Sequence, residues 1–484
     1  MSEFMTTIGE VAEVFDGPHA TPKKTEQGPY FLSISSLENG ALDLSKSAHL
    51  SEKDFIKWTK RVTPTAGDVL FSYETRLGDA ALMPPNVKAC LGRRMGLLRP
   101  NTEKVIPEYL LYAYLSPAFQ EIIKARTIHG ATVNRIALKE LPGFPIRIPP
   151  KDEQEQVVNM LSSIDSKLEL NRQINQTLEQ IAQAIFKSWF VDFEPVKAKI
   201  EAKKEWEARR PTAMDGGSDE NAGAIFVERA AMRSISGKTD EELDQLSPEQ
   251  RQQLTTTAAL FPDELEDSEL GEIPKGWAIS EISDIAVVVD CLHAKKPEIV
   301  EENTGNIFLQ LKNISDDGLL LLNEIFYISD GDYKKWISRI EAKEGDCVIT
   351  NVGRVGAVAQ IPRSVKAALG RNMTAIRCRE DSYYPSFMIT LLTSSYLKRE
   401  IELRTDVGTI LNALNVKNIP KLRFVTPGST LLEVFERGVH PLQRKREMNI
   451  EENRTLGLTR DSLLPKLLSG EIAVEEDNKI REIA

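Results

Sequence analysis

Residues 67–100 read GDVLFSYETRLGDAALMPPNVKACLGRRMGLLRP, and residues 345–378 read GDCVITNVGRVGAVAQIPRSVKAALGRNMTAIRC. The two stretches align without a gap at a shift of 278, and 14 of the 34 positions are identical. Among the identities are Gly67/Gly345, Asp68/Asp346, Arg76/Arg354, Gly78/Gly356, Pro84/Pro362, Val87/Val365, Lys88/Lys366, Gly92/Gly370, Arg93/Arg371 and Met95/Met373. Self-similarity at one fixed offset is the signature of a repeated structural unit. One half of the chain is therefore a copy of the other. Apolar runs bounded by Gly, Pro and Asp, such as Asp68-Val69-Leu70-Phe71 and Asp346-Cys347-Val348-Ile349, predict strands at matching places.

The same shift carries Trp58 onto Trp336 and Pro107 onto Pro385, then Gly130, Asn134, Lys139 and Pro142 onto Gly408, Asn412, Lys417 and Pro420. Near the start of each copy it slips by a few residues and pairs Asp16/His19 with Asp290/His293. Each copy thus predicts a strand-rich section, a short helical stretch (108–124; 386–403), a loop, a last strand ending at Pro149-Pro150 or Pro427, and a long helix.

In the first long helix Asp152 is placed as N-cap with Glu155 three residues on. The apolar stripe Val157, Leu161, Ile164, Leu168, Leu178, Ala182, Ile185, Trp189 follows the 4-3 spacing of a coiled-coil seam. About 37 residues at 1.5 Å rise make a rod roughly 55 Å long. The second helix carries Phe435, Val439, Leu442, Leu456, Leu463 and Leu467 on the same seam, interrupted by Arg446 and Arg460. The middle of both seams is polar: Asn171 and Asn175, matched by Asn449 and Asn453. Antiparallel packing about a pseudo-dyad would set Asn171 against Asn453 and Asn175 against Asn449, fixing register at a cost in stability. The alternative is that these amides point to water.

The 484-residue length suggests two or three domains. No run of eighteen apolar residues predicts a membrane span, and the first residues lack the order of a signal peptide. Cys90, Cys291, Cys347 and Cys378 lie far apart and read as reduced thiols of a cytoplasmic protein, without disulfides or zinc. The net charge of −11 opposes nucleic acid at first sight, but its distribution weakens the objection. Residues 196–275 hold 11 basic and 18 acidic side chains, and 471–484 hold 2 and 5. Residues 88–147 hold 10 basic and 4 acidic, and 366–425 hold 10 and 5. Two basic islands remain, and phosphate binding responds to such local fields. The acidic segment reads as a partly ordered spacer with too few large apolar residues for a core. It holds two capping boxes, Thr239-x-x-Glu242 and Ser247-Pro248-x-Gln250.

No catalytic set emerges. Gly237-Lys238-Thr239 lacks the glycine a phosphate loop needs five positions upstream, where Met232 stands. His19, His49, His129, His293 and His440 show no metal-ligand spacing and no neighbouring cysteine. The acids between Asp263 and Glu272 read as solvated surface. Neither Pro-Pro pair has the flanking residues that adenine methylation requires.

What remains suits binding. Tyr73, Thr75 and Arg76, matched by Asn351 and Arg354, follow strands and precede glycines on tight loops. Arg93 and Arg94 match Arg371 and Asn372; Thr132, Asn134 and Arg135 match the stretch with Thr409 and Asn412. Arg reads guanine edges and Asn adenine edges, while Lys88, Lys366 and the shared arginines suit phosphates. Arg76/Arg354 and Arg93/Arg371, identical in both copies, equally suit bracing the fold. Differing pairs are better base readers, because halves that read different sequences must differ somewhere. Trp189, Phe190 and Phe193 cluster as an expected surface for protein partners.

Several motifs together carry a family resemblance. They are the duplicated Gly-Asp…Arg-x-Gly loop, Pro149-Pro150-x-x-Glu153-Gln154, and Ile185-Phe186-Lys187-Ser188-Trp189-Phe190-Val191-Asp192-Phe193. Leu270-Gly271-Glu272-Ile273-Pro274-Lys275-Gly276-Trp277 and Leu463-Leu464-Pro465-Lys466-Leu467-Leu468-Ser469-Gly470-Glu471-Ile472 complete the set. The chain resembles the specificity subunits of type I restriction-modification systems. The second copy departs by lacking the Glu-Gln after its proline. The resemblance implies an α+β fold: two pseudo-symmetric α/β target-recognition domains separated by a pair of long antiparallel coiled-coil-like helices. The expected layout is recognition domains at 1–150 and 276–428, long helices at 151–195 and 429–474, the acidic spacer at 196–275 and an acidic tail at 475–484. It further implies double-stranded DNA as ligand, with two methyltransferase and two restriction subunits as partners. S-adenosylmethionine, ATP and Mg would be used by those partners, with no cofactor, metal or catalytic residue on this chain. The rival readings are a fused restriction-modification enzyme and a coiled-coil scaffold whose duplicated modules bind ligands other than DNA.

Overall fold

The computed structural model describes residues 4–38, 40–130, 133–209, 218–315, 318–322, 324–406, 408 and 411–472. It is a mixed helix and strand structure whose chain divides into two compact units, Met1–Leu170 with Thr455–Ala484, and Asn171–Arg454. The cut passes through both long helices, Lys151–Phe190 and Ser429–Ser469, so each unit takes one end of each.

In the first unit a four-stranded antiparallel sheet runs in the order Ala12–Asp16, Met95–Pro100, Val69–Ser72, Ala80–Leu82. In the second the order is Ala286–Asp290, Met373–Cys378, Cys347–Thr350, Val358–Gln360. Even the register repeats, with Leu97 opposite Leu70 and, 278 residues on, Ala375 opposite Val348. A one-residue slip would turn every core side chain to the wrong face, so the register was held while side chains diverged. Each sheet is pinned by the same charge pair. Arg99 donates from Nε and Nη2 to the buried Asp68 carboxylate at 3.0 and 2.7 Å. Arg377 does so to Asp346 at 2.7 and 2.6 Å. This two-pronged geometry is the strong form of an ion pair.

The first long helix starts at Lys151, so Asp152 lies inside the first turn and is not the N-cap. Gln154 does the local fastening instead. Fully buried, it donates to the carbonyls of Pro149 and Lys104 and accepts from the Ile106 amide. Within the first unit Val157 and Leu161 share one core with Leu467 and Leu468, so the chain's last helix closes onto its first domain. There Arg460 meets Asp165 at 3.1 Å, and Tyr112 donates to the same carboxylate.

Within the second unit the helices pair antiparallel. Asn171 donates to Asn453 Oδ1 at 2.9 Å and Asn449 to Asn175 Oδ1 at 2.8 Å. One turn on, Arg446, only 1% exposed, pairs with Glu179. The arginines that break the apolar seam are thus matched by acids on the facing helix, Glu179 here and Asp165 in the first unit.

Two expectations are corrected here. Trp189, Phe190 and Phe193 do not form an exposed patch. All three are buried in their own unit's core with Phe186, Phe261, Trp277, Phe387 and Phe435. Ring centroids lie 5.1 Å apart for Phe190–Phe435 and 5.4 Å for Trp189–Phe261, in edge-on contacts. The acidic segment is helical over Glu194–Arg209, Ser218–Ser236, Asp240–Asp244 and Pro248–Ala259. Its core is made of small and flexible residues, Ala231, Met232, Leu243 and Ala258. Arg229 and Arg233 hold Asp240 and Asp244, which keeps both carboxyls below the usual carboxylate range. Both capping boxes form.

Candidate nucleic-acid interface

At one end of each sheet three loops are stitched together by the same backbone bonds. In the first unit the Tyr73 amide donates to Arg94 O at 3.2 Å, and the Ile136 amide to Tyr73 O at 2.9 Å. In the second, the Asn351 amide donates to Asn372 O and the Leu414 amide to Asn351 O, both at 2.8 Å. The third loop of each set is a small hairpin, Thr127–Ile128 with Arg135–Ile136, and Thr405–Asp406 with Ala413–Leu414. Left-handed backbone recurs at equivalent points: Thr75 (φ 72°) and Gly353 (88°), Arg94 (70°) and Asn372 (65°). Such conformations are strained for a non-glycine residue, above all a β-branched one, and they concentrate at binding sites.

The loops sort the candidate residues. Tyr73 and Asn351 are buried and lie beneath the loop surface, so neither is a base reader. They follow strands whose residues are buried throughout (Val69–Ser72; Cys347–Thr350) and continue inward. Burial and the Asp16 carboxylate push the Tyr73 hydroxyl well above its ordinary value. The Asn351 amide donates to Thr374 Oγ1 at 2.9 Å. Arg354 donates to the Ile314 carbonyl at 2.7 Å, and Arg76 pairs with Asp79, so both brace their loops.

Arg94 is half-buried, with Glu74 at 3.1 Å and Thr75 Oγ1 at 3.1 Å, whereas its counterpart Asn372 has Val352 in place of Glu74. Arg93 and Arg371 are exposed at the turn tips and, among the described residues, have no ion-pair partner. Arg135 is exposed on its hairpin where the other unit has Ala413. Asn134 lies 3.3 Å from His129 at the hairpin tip, and Asn412 is exposed at the matching place. Lys88 and Lys366 are exposed beside Glu52 and Glu341. Thr132 and Thr409 lie outside the described residues.

All four cysteines are free and buried. His293 does have a cysteine beside it: ligand atoms of Asp290, Cys291 and His293 lie within 4.8 Å of one another. Burial raises the Cys291 thiol, and Arg339 stands 3.8 Å from Asp290, both of which disfavour a cation. Among the described residues no helix is long and apolar enough to cross a membrane.

Known proteins share this organisation. The family described as the type I restriction modification DNA specificity domain matches residues 2–180. The type I restriction enzyme HindI specificity subunit of Haemophilus influenzae is 30% identical over 425 residues, covering 84% of this chain and 86% of its own. The MjaIX specificity subunit of Methanocaldococcus jannaschii is 25% identical over 434 residues, covering 88% and 82%. The crystal structure of a type I restriction-modification S subunit from M. genitalium matches the fold with a TM-score of 0.50 at 16% identity, over 96% of this chain and 95% of that one. The duplicated sheets, the paired long helices and this similarity along most of the chain agree: it belongs to the specificity subunits of type I restriction-modification systems.

Proposed function

We propose that each unit reads one half of a bipartite, asymmetric double-stranded DNA target. In this reading the chain docks two methyltransferase and two restriction subunits in the cytoplasm. The chain itself catalyses nothing; its partners use S-adenosylmethionine, ATP and Mg. The observation that carries the proposal is the pair of matching loop sets, alike in backbone and different in exposed side chains.

Arg93 and Arg371, shared by both units, suit phosphates, which position a protein without specifying sequence. Arg135 against Ala413, and the Glu74-braced Arg94 against Asn372, suit base edges. Bracing has a physical purpose, since a guanidinium already held in one rotamer loses less entropy on binding.

The test is filter binding of the full chain to duplex DNA across a salt series. Affinity that falls steeply and linearly on a log–log scale supports the reading. Salt-independent or absent binding overturns it and favours a scaffold whose modules hold other ligands.

A further inference from the structure

Beside the Arg93 turn, on the side away from the hairpin, each unit carries a three-residue group that none of the candidates above includes. In the first unit Asp16 ends the edge strand, and His19 Nε2 lies 3.0 Å and Arg61 Nη1 3.4 Å from its Oδ2. In the second, His293 Nε2 lies 2.7 Å and Arg339 Nη1 3.8 Å from Asp290 Oδ2. Arg61 and Arg339 are related by the same shift of 278 as the core motif. The group adjoins the turn directly: the residue after each aspartate, Gly17 or Cys291, donates its amide to Met95 O or Met373 O.

We infer that His19 with Arg61, and His293 with Arg339, are paired phosphate contacts that extend each DNA-reading face, aimed by Asp16 in the first unit and by Asp290 with the Cys291 carbonyl, 2.9 Å from Arg339, in the second. The inference rests on the DNA-reading proposal above. Three observations support it. The cationic side chains are the open part of each group, with His19 67%, Arg61 63%, His293 55% and Arg339 48% exposed, while Asp16 and Asp290 are 28% and 22% exposed. The group recurs in both units although 20 of the 34 positions in the core motif have diverged. A group shared by halves that differ in their exposed tips fits backbone contact, which is indifferent to sequence.

The proton placement follows. A carboxylate only accepts, so Nε2 of each histidine carries hydrogen toward the aspartate and Nδ1 faces outward. Neutral, Nδ1 would repel a phosphate oxygen; protonated, it donates to it.

Fluorescence anisotropy of the full chain with a labelled duplex tests this across a salt series. The double variant His19→Gln/His293→Gln should bind the duplex more weakly, with a log–log salt slope shallower by about two, one per lost phosphate. The exposed pair Arg61→Gln/Arg339→Gln should flatten the slope likewise, as a check against misfolding of the first variant. A merely structural group would weaken binding with the salt slope intact, and that result overturns the inference. Wild-type chain that ignores duplex DNA altogether removes the DNA-reading proposal itself, a distinct outcome.

Discussion

The two loop sets share one backbone and one charge-paired framework but present several different side chains to solvent. Asp68 with Arg99 and Asp346 with Arg377 keep the same two-pronged geometry, and the strand registers coincide. On the surface, Arg94 and Glu74 become Asn372 and Val352, and Arg135 becomes Ala413. A duplicated domain therefore separates two burdens. The framework is held fixed because a buried charge without its partner is costly. The tips vary because an exposed side chain contributes little to stability and is free to specify.

The largest effect should come from breaking the shared framework. Asp68→Ala and Asp346→Ala each remove the carboxylate that an arginine pairs with and that accepts a backbone amide, from Thr65 or Lys343, and each should destabilise its own unit by about 3 kcal/mol. Denaturant unfolding followed in both variants checks this, and a cost in one unit only would show that the frameworks are not equivalent. Next come the differing tips. Arg135→Ala should relax one half-site, costing about 1–3 kcal/mol in binding to the correct duplex, and leave the other half-site unchanged in competition assays. Arg93→Ala and Arg371→Ala should instead weaken binding to all duplexes alike, with a salt slope shallower by about one each.

Smaller still, replacing Asn171, Asn175, Asn449 and Asn453 together by Leu should leave the helices paired and stabilise them by about 1–2 kcal/mol while loosening their register. Cysteine cross-linking at staggered positions would show multiple registers, and a single retained register would exclude the amides as its source. Least of all, acid should loosen the helices 218–259. Asp240 and Asp244 are held below their ordinary values by Arg229 and Arg233, so the stability they lend is present above the ordinary carboxylate range and lost as pH falls beneath it. Circular dichroism over about pH 5 to 2 follows that loss, and Arg229→Gln should remove most of it.

The duplication, the strand sections, the polar middle of the helix seam and the loop positions were legible because each is a matter of spacing along the chain. Direction was not. Tyr73 and Asn351 read as loop residues yet point inward, because the strands before them are buried on both faces. Trp189, Phe190 and Phe193 read as a surface because their cover, Phe261, Trp277, Phe387 and Phe435, comes from residues 72 to 246 positions away in the ring contacts they make. The acidic segment looked coreless for the same reason. Its helices pack through alanines and through Phe261, which is anchored against Trp189. The Asp16/His19 pair was legible from its counterpart Asp290/His293, but its arginine was not, because Arg61 lies 45 residues from Asp16.

The central claim is that one chain reads two unlike half-sites with two like frameworks. Single-molecule sequencing of DNA from cells that express the chain with its methyltransferase partner addresses it most directly. Two short, different specified sequences separated by an unspecified gap of constant length are expected, with Arg135→Ala altering only one of them. One uninterrupted or palindromic methylated motif would contradict the account.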